Sequence, residues 1–159
     1  MKTPARQQSA PRGGRESSNG TAIDAARIIA KQCLAIRVRR LQRSLTRLYD
    51  AALRPHGVSA AQLGVLVAVA LATDAQPKAL CAILDIEKST LSRNVALMVT
   101  HGWIDARRSG RSQILRLTAS GATILASALP AWHRAQRQAQ RLLSESTVDS
   151  LRHSWNMAS

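Results

Sequence analysis

The stretch that decides the fold reads PKALCAILDIEKSTLSRNVALMVTHG from Pro77 to Gly102 and WIDARRSGRSQILRLTASG from Trp103 to Gly121. Pro77 suits the first turn of a short helix, and the apolar pattern ends that helix near Leu84. A second helix is predicted from about Lys88 to His101, and it ends at Gly102. Two helices separated by so few residues predict a helix-turn-helix.

Two short strands are predicted directly after this pair of helices, at Trp103–Arg107 and Gln113–Leu117. Gly110 lies in the connecting loop, where it is free to take a positive φ. Three arginines crowd the tip, which carries no carboxylate: Arg107, Arg108 and Arg111. A β-hairpin of this kind predicts a cationic wing, and a slim helix beside it suits the major groove of DNA.

The second helix of the pair has two distinct faces. Leu91, Val95 and Met98 recur at spacings of four and three, which places them on one buried stripe. The opposite face is small, polar and basic: Ser89, Arg93, Ala96 and Thr100. Short side chains let a helix approach base edges, and Arg93 can reach a guanine or a phosphate. The alternatives are that Arg93 is an ordinary solvated arginine and that the wing arginines only solubilise the loop.

Charge limits the class of partner. The 159 residues include 23 Lys and Arg against 9 Asp and Glu, a formal net charge of +14. This balance favours a nucleic acid, although a solvated basic surface is the alternative. The four histidines are not paired at the spacing of metal ligands, and no nucleophile–base or phosphate-loop motif is present. We therefore expect no enzymatic activity, no metal and no cofactor.

Cysteine content and hydropathy indicate the compartment. The two cysteines, Cys33 and Cys81, are far apart, which fits a reducing cytoplasm. The longest uncharged apolar run, Leu63–Ala72, is too short to span a bilayer, and no signal peptide is visible. We expect a cytoplasmic protein that associates with the nucleoid and not with the membrane.

The flanks of the helix-turn-helix define the predicted domains. Residues 1–20 are rich in Arg, Ser, Gly and Pro, which predicts a disordered basic arm. Residues 21–159 are predicted to form a single domain, with a winged helix-turn-helix at 58–118. Long helices at 21–56 and 119–156 carry apolar stripes that a monomer would leave exposed, so we expect a homodimer. The expected fold class is mainly α with a small β-wing.

The order of these elements resembles the MarR family of bacterial transcription regulators. Four segments carry the resemblance: LTRLYDAALRPHGVSAAQLGVL (Leu45–Leu66), STLSRNV (Ser89–Val95), LRLTASG (Leu115–Gly121) and ALPAWHRAQ (Ala128–Gln136). Together they place the resemblance over residues 24–156. It implies a dimeric winged helix-turn-helix repressor on a palindromic operator in double-stranded DNA, released by a small phenolic or aromatic acid. Wings of this family usually carry an Asp near the tip, and residues 107–113 have none.

The resemblance also assigns roles to residues. The candidate DNA-contacting set is Lys88, Ser89, Thr90, Ser92, Arg93, Arg107, Arg108 and Arg111. Arg37 and Tyr49 are candidates for binding the effector, although an aromatic residue at helical spacing also suits a core. Because some members of the family sense oxidants through a cysteine in this region, a thiol-based redox sensor acting through Cys33 is one alternative function. A nucleoid-type protein that binds DNA without sequence preference is the other.

Overall fold

The computed structural model describes the backbone of residues 14–73, 75–109 and 112–156, and the side chains of residues 19–73, 75–108 and 112–151. Its helices are α1 (Gly14–Gln32), α2 (Leu34–Leu53), α3 (Ala60–Leu71), α4 (Pro77–Leu84), α5 (Lys88–Thr100), α6 (Ala119–Leu142) and α7 (Glu145–Asn156), and its strands are β1 (Ile104–Ser109) and β2 (Ser112–Leu117). The expected fold class, mainly α with a small β-wing, is confirmed. The dimerisation role of the long helices stays a prediction.

The chain divides into two compact units. The N-terminal unit ends at Gln42, and the unit that begins at Arg43 is called here the winged unit. Helix α1 begins at Gly14, so the last part of the predicted disordered arm is helical, while residues 1–13 lie outside the described residues. The division into an arm and a single domain therefore stays a prediction.

The long helix predicted within residues 21–56 is two helices, α1 and α2, with Cys33 between them. The backbone hydrogen bonds keep helical spacing across the junction, from Cys33 N to Ile29 O at 2.8 Å and from Arg37 N to Cys33 O at 3.3 Å. The guanidinium of Arg37 donates to the carbonyl of Lys31. Basic side chains commonly bind the last carbonyls of a helix in this way.

Helix α3 is fixed at its start by a capping box. The amide of Gln62 donates to Ser59 Oγ at 3.2 Å, and the amide of Ser59 donates to Gln62 Oε1 at 2.8 Å. The amide of Ala60 is satisfied by Asp50 Oδ1 at 2.8 Å. With its first amides bonded in this way, the helix can bury Val65 and Leu66 completely in the core of the winged unit.

The turn between α4 and α5 depends on a left-handed residue. Pro77 occupies the start of α4, where its missing N–H costs no hydrogen bond. Asp85 ends the helix with φ 49° and ψ 51°, and it is the only non-glycine residue with positive φ in the described backbone. This turn allows Leu80 on α4 and Leu91 on α5 to enter the same core.

The wing is an antiparallel pair whose base is pinned to the rest of the winged unit. Ile104 pairs with Leu117 at the base, and Ser109 pairs with Ser112 at the tip. The amide of Leu115 donates to the carbonyl of Ala75 at 2.9 Å, which ties β2 to the loop before α4. Ile104 and Leu115 are both buried, so the base of the wing belongs to the core.

Thr118 joins the wing to α6. Its hydroxyl donates to the carbonyl of Gly102 at 2.6 Å and accepts from the amide of Gly121 at 3.0 Å, which makes it the N-cap of α6. Its amide donates to the carbonyl of Trp103 at 3.1 Å. Gly121 lies so close to this carbonyl that a Cβ built on it would be 2.2 Å from Trp103 O.

Candidate nucleic-acid interface

Helix α5 presents two different edges beside its buried stripe. Leu91, Val95 and Met98 are buried, as the spacing predicts. Ser89 and Arg93 are exposed on the outer edge, together with Thr100. Ala96, which the sequence placed on the same face, lines the groove beside the wing instead. Lys88 and Ser92 lie instead on the edge that faces the wing. The outer edge therefore offers a small polar surface with one arginine, and the inner edge borders a groove.

This groove separates α5 from the wing and has a volume of about 640 Å³. Its floor is apolar and includes Val95, Val99 and Ala106, while Lys78, Lys88 and Gln113 supply polar groups. Lys78 comes from the first turn of α4 and Gln113 from β2. None of the described residues that line the groove is a carboxylate. The groove thus combines positive charge with apolar surface.

The register of the hairpin divides the wing into two faces. Neighbouring residues on a strand point to opposite faces, and directly paired residues share a face. Arg108 pairs with Gln113, and Ala106 is two residues away, so these three share the face that borders the groove. Asp105 and Arg107 lie on the opposite face.

Arg107 is held in an ion pair on that opposite face. Its Nε donates to Asp105 Oδ2 at 2.6 Å, and 75% of its side chain is exposed. The carboxylate expected near the tip of such a wing is absent from the sequence, but Asp105 on β1 supplies one lower in the strand. An ion pair this exposed contributes little to the stability of the fold. Its consequence is that it fixes the position of the Arg107 guanidinium.

The predicted DNA-contacting residues are therefore brought together only in part. Lys88 and Ser92 line the groove, whereas Ser89 and Arg93 lie on the outer edge of α5. Thr90 is half-buried, and its amide donates to the carbonyl of Glu87 at 2.9 Å. Arg111 lies outside the described residues.

Sequence reasoning missed Lys78 and Gln113, which line the groove from α4 and β2. Residues that pair across a hairpin share a face, and side chains alternate along each strand. This pattern could have identified Gln113 as lying on the same face as Arg108. Lys78 carries no such signal, because only the fold brings the start of α4 beside the wing.

Two carboxylates lie close to the start of α5. Asp85 and Glu87 are exposed, and Glu87 occupies the N-cap position without bonding a backbone amide through its side chain. Negative charge at a helix N-terminus is favourable for the helix, but it opposes the approach of a polyanion at this point. An anion that approaches α5 is therefore attracted either to the outer edge, which carries Arg93, or to the inner edge, which carries Lys88.

Tyr49 lies in the winged unit, where its hydroxyl donates to Gln136 Oε1 on α6. Burial raises the pKa of the Tyr49 phenol. A cavity of about 390 Å³ lies beside it, with a mostly apolar lining that includes Leu45, Ala139 and Leu143. Arg37, the other candidate for the effector, lies in the N-terminal unit and bonds Lys31.

The two cysteines are free thiols, and both are half-buried. Cys33 sits at the junction of α1 and α2, and Cys81 packs against the core from α4. Among the described residues, no cluster of three or more His, Cys, Asp or Glu side chains could hold a metal ion. No described helix is long and apolar enough to cross a membrane.

Together, the helix-turn-helix, the pinned hairpin and the basic groove define a winged helix-turn-helix protein. Residues 56–113, from the end of the turn after α2 into β2, match the family model of the MarR family. The resemblance that the sequence suggested is thus confirmed, and the fold is that of a MarR-family transcription regulator. No curated protein sequence matches the chain significantly.

Solved structures of this family have a similar fold. A cysteine-to-serine mutant of E. coli MarR complexed with operator DNA is 21% identical, with a TM-score of 0.71 over 81% of this chain and 95% of that chain. The M. tuberculosis transcriptional regulator MosR is 28% identical, with a TM-score of 0.69 over 80% of this chain and 95% of that chain. MosR in complex with DNA is 27% identical, with a TM-score of 0.69 over 80% and 96% of the two chains.

Proposed function

We propose that this protein is a dimeric, sequence-specific DNA-binding repressor that a small effector releases from its operator. One observation carries the proposal: α5 exposes a small polar edge with Arg93 beside a basic wing, inside the segment that matches the MarR family. The similar E. coli and M. tuberculosis structures were solved with DNA, which supports the same partner here. The proposal includes no enzymatic activity.

Arg93 is the residue we expect to read a base. It is exposed on the edge of α5 opposite Leu91 and Val95, where short neighbours such as Ser89 leave room for a base pair. An arginine that donates two hydrogen bonds to guanine discriminates by roughly 1–3 kcal/mol against the wrong base. Ser89, Thr90 and Ser92 are expected to contact the same region of the duplex.

The test begins with selection of a preferred site from a random library of duplexes. Arg93→Ala should then lose roughly 1–3 kcal/mol on the selected site and much less on random DNA. Arg134→Ala, which removes an exposed arginine from α6, is the matched control and should affect neither DNA. Equal losses on both DNAs would make Arg93 a phosphate contact. Failure of any sequence to be enriched would favour the nucleoid-type alternative.

Dimer formation is supported by exposed apolar side chains on the long helices. Leu34 is 75% exposed and Val38 is 61% exposed in the N-terminal unit, and Leu142 and Leu151 are more than half exposed in the winged unit. Side chains of this size gain from burial against a second copy. Sedimentation at micromolar concentration should give a dimer, and a well-folded monomer would contradict this part of the proposal.

Release by an effector is supported by the cavity beside Tyr49. Its volume of about 390 Å³ and its apolar lining suit a small aromatic molecule. Aromatic carboxylates should raise the melting temperature and release DNA, and Tyr49→Phe should reduce both effects. If none of these compounds acts, the redox alternative is tested in the same DNA-binding assay with peroxide, on the wild-type protein and on Cys33→Ser.

A further inference from the structure

The cavity beside Tyr49 is formed by three helices of the winged unit. Its lining comes from α2, from α6 with the residue that follows it, and from α7: Leu45, Tyr49, Gln136, Ala139, Gln140, Leu143, Val148 and Leu151. Five of these eight side chains are apolar, and the other three are a phenol and two amides. None carries a formal charge at neutral pH, so the cavity offers a ligand hydrogen bonds but no counter-ion.

The phenol of Tyr49 shows how this wall of the cavity treats a negative charge. Its hydroxyl donates to Gln136 Oε1, so its partner is a neutral amide and not a cation. Burial raises the pKa of the phenol, which means that the phenolate is disfavoured here relative to water. The neighbouring arginines of α2, Arg43 and Arg47, are exposed and line no part of the cavity. A carboxylate beside Tyr49 would meet the same low polarity without a cation to offset it.

The arginines of α6 do not supply this cation either. Arg137 and Arg141 line a neighbouring cleft between α6 and α7, on the other side of Gln140. Glu145 and Asp149 line the same cleft, so its two positive charges are matched by two negative ones. The surroundings of the cavity therefore add no net positive charge that would favour an anionic ligand.

We propose that this cavity selects uncharged aromatic ligands, so that a phenol or an aromatic amide binds as it is and an aromatic acid enters only as the neutral acid. The inference rests on the proposed function, in which an effector occupies this cavity, and it names the chemical class of that effector. The apolar lining holds the ring, and a few polar groups fix its orientation. Because a side-chain amide both donates and accepts, Gln136 and Gln140 can bond either a hydroxyl or an amide of the ligand.

This selection makes the binding of an aromatic acid depend on pH through the ligand. A carboxylic acid has a pKa of about 4, so roughly one molecule in a thousand is neutral near pH 7. An aromatic carboxylate then acts through this small neutral fraction, and its apparent affinity falls about tenfold for each pH unit above its pKa. Tyr49 is the one titratable residue among those that line the cavity, and its raised pKa keeps it neutral over this range.

The experiment measures dissociation constants by isothermal titration calorimetry on the full-length protein without DNA. The probes are naphthamide and naphthoate, which share a ring system and differ in charge. Naphthamide should bind equally well from about pH 5.5 to about pH 7.5, whereas naphthoate should weaken by about 100-fold over the same range. At the higher pH, naphthamide should therefore bind at least about 100-fold more tightly than naphthoate.

A lysine placed on the lining tests the physical cause of the selection. Gln140→Lys puts a cation at the cavity and should strengthen the binding of naphthoate at about pH 7.5 by at least about tenfold, since an opposite charge nearby favours the ionised form. Gln138→Lys is the matched control, because it adds the same charge to α6 at an exposed position that does not line the cavity. This control should bind both probes as the wild type does. Circular dichroism verifies that both variants are folded.

Each result supports the inference or overturns it. Naphthoate that binds as tightly as naphthamide at about pH 7.5, or with an affinity that does not change with pH, overturns the selection of neutral ligands. Equal gains in naphthoate binding for Gln140→Lys and Gln138→Lys overturn it as well, because the added charge would then act from outside the cavity. A wild-type protein that binds neither probe overturns the effector cavity of the proposed function, and the inference with it.

Discussion

The N-terminal unit and the winged unit differ in how they bury apolar surface. In the N-terminal unit, every described residue from 19 to 40 is exposed except Cys33, which is half-buried. The winged unit has a continuous core that draws on α3, α4, α5 and the wing. The same kinds of side chain, leucine and isoleucine, thus have opposite environments in the two units. The winged unit is stabilised by its own buried core. The stability of the N-terminal helices depends instead on the surface that packs against their exposed side chains.

The largest expected effect on stability comes from a leucine-to-alanine substitution made once in each unit. Leu66→Ala removes a side chain that is fully buried in the winged unit, and it should cost about 2–5 kcal/mol of unfolding free energy. Leu34→Ala removes the same atoms from a side chain that is 75% exposed, and it should leave winged-unit stability within about 0.5 kcal/mol at fixed protein concentration. Urea unfolding followed by tryptophan fluorescence measures both.

Leu34→Ala should instead weaken self-association, since the lost contacts belong to a second copy. Sedimentation of both variants provides the control. Equal unfolding costs for Leu66→Ala and Leu34→Ala, with no change in association, would break the comparison between the two units.

A glycine pair tests how closely the winged unit is packed. Gly121→Ala places a Cβ 2.2 Å from Trp103 O and 2.7 Å from Leu117 Cδ1, which should destabilise the protein by about 1–3 kcal/mol. Gly64→Ala in the interior of α3 meets no atom within 4 Å and should stabilise it by about 0.5–1 kcal/mol. Thermal unfolding of the two variants should therefore give shifts of opposite sign. A Gly121→Ala variant that is as stable as the wild type would show that the base of the wing is loosely packed.

Most of the winged unit could be predicted from sequence, because its elements have strong local signals. The predicted starts of α4 at Pro77 and of α5 at Lys88 agree with the structure. The break at Cys33 could not be predicted, since the segment has no Pro or Gly there. Helix α1 was placed too late in the chain because its first turns lack an apolar period.

Only those residues of the candidate site that lie on a single helix could be predicted from the sequence. Ser89 and Arg93 follow from the period of α5, and both are exposed. The groove combines α4, α5 and β2, so its lining depends on tertiary contacts that no local pattern encodes. The separation of Arg107 from Arg108 required the register of the hairpin.

A smaller effect is expected at the turn before α5. Asp85→Gly relieves a β-carbon in the left-handed region, where φ is 49°, and should stabilise the winged unit by less than about 1 kcal/mol. It also removes a carboxylate from the start of α5 and should slightly strengthen binding to random DNA. Asp85→Asn is the matched control, because it removes the charge and keeps the β-carbon. Melting temperature and anisotropy separate the two contributions, and an equal gain in stability for both variants would exclude backbone strain.

The smallest effect concerns Tyr49, the single tyrosine of the chain. Burial raises its pKa, so the neutral phenol is favoured in the folded state, and the ultraviolet absorbance of tyrosinate should appear at a higher pH than in the unfolded chain. The stability that follows from this shift is complete below about pH 10 and is lost as pH rises through the folded-state pKa. Tyr49→Phe abolishes the signal and serves as the control. Identical titration of folded and urea-unfolded protein would contradict the burial of this side chain.

The hydroxyl of Thr118 closes residues 102–118 into a ring, because it bonds the carbonyl of Gly102 while its amide bonds that of Trp103. Both ends of the hairpin are thereby fixed independently of its tip. Lengthening such a loop costs little free energy, since the cost of closure grows only with the logarithm of loop length. The tip can therefore accept additional residues without disturbing α5 or α6. Wing length is thus a trait that can vary in evolution, and be engineered, separately from the rest of the winged unit.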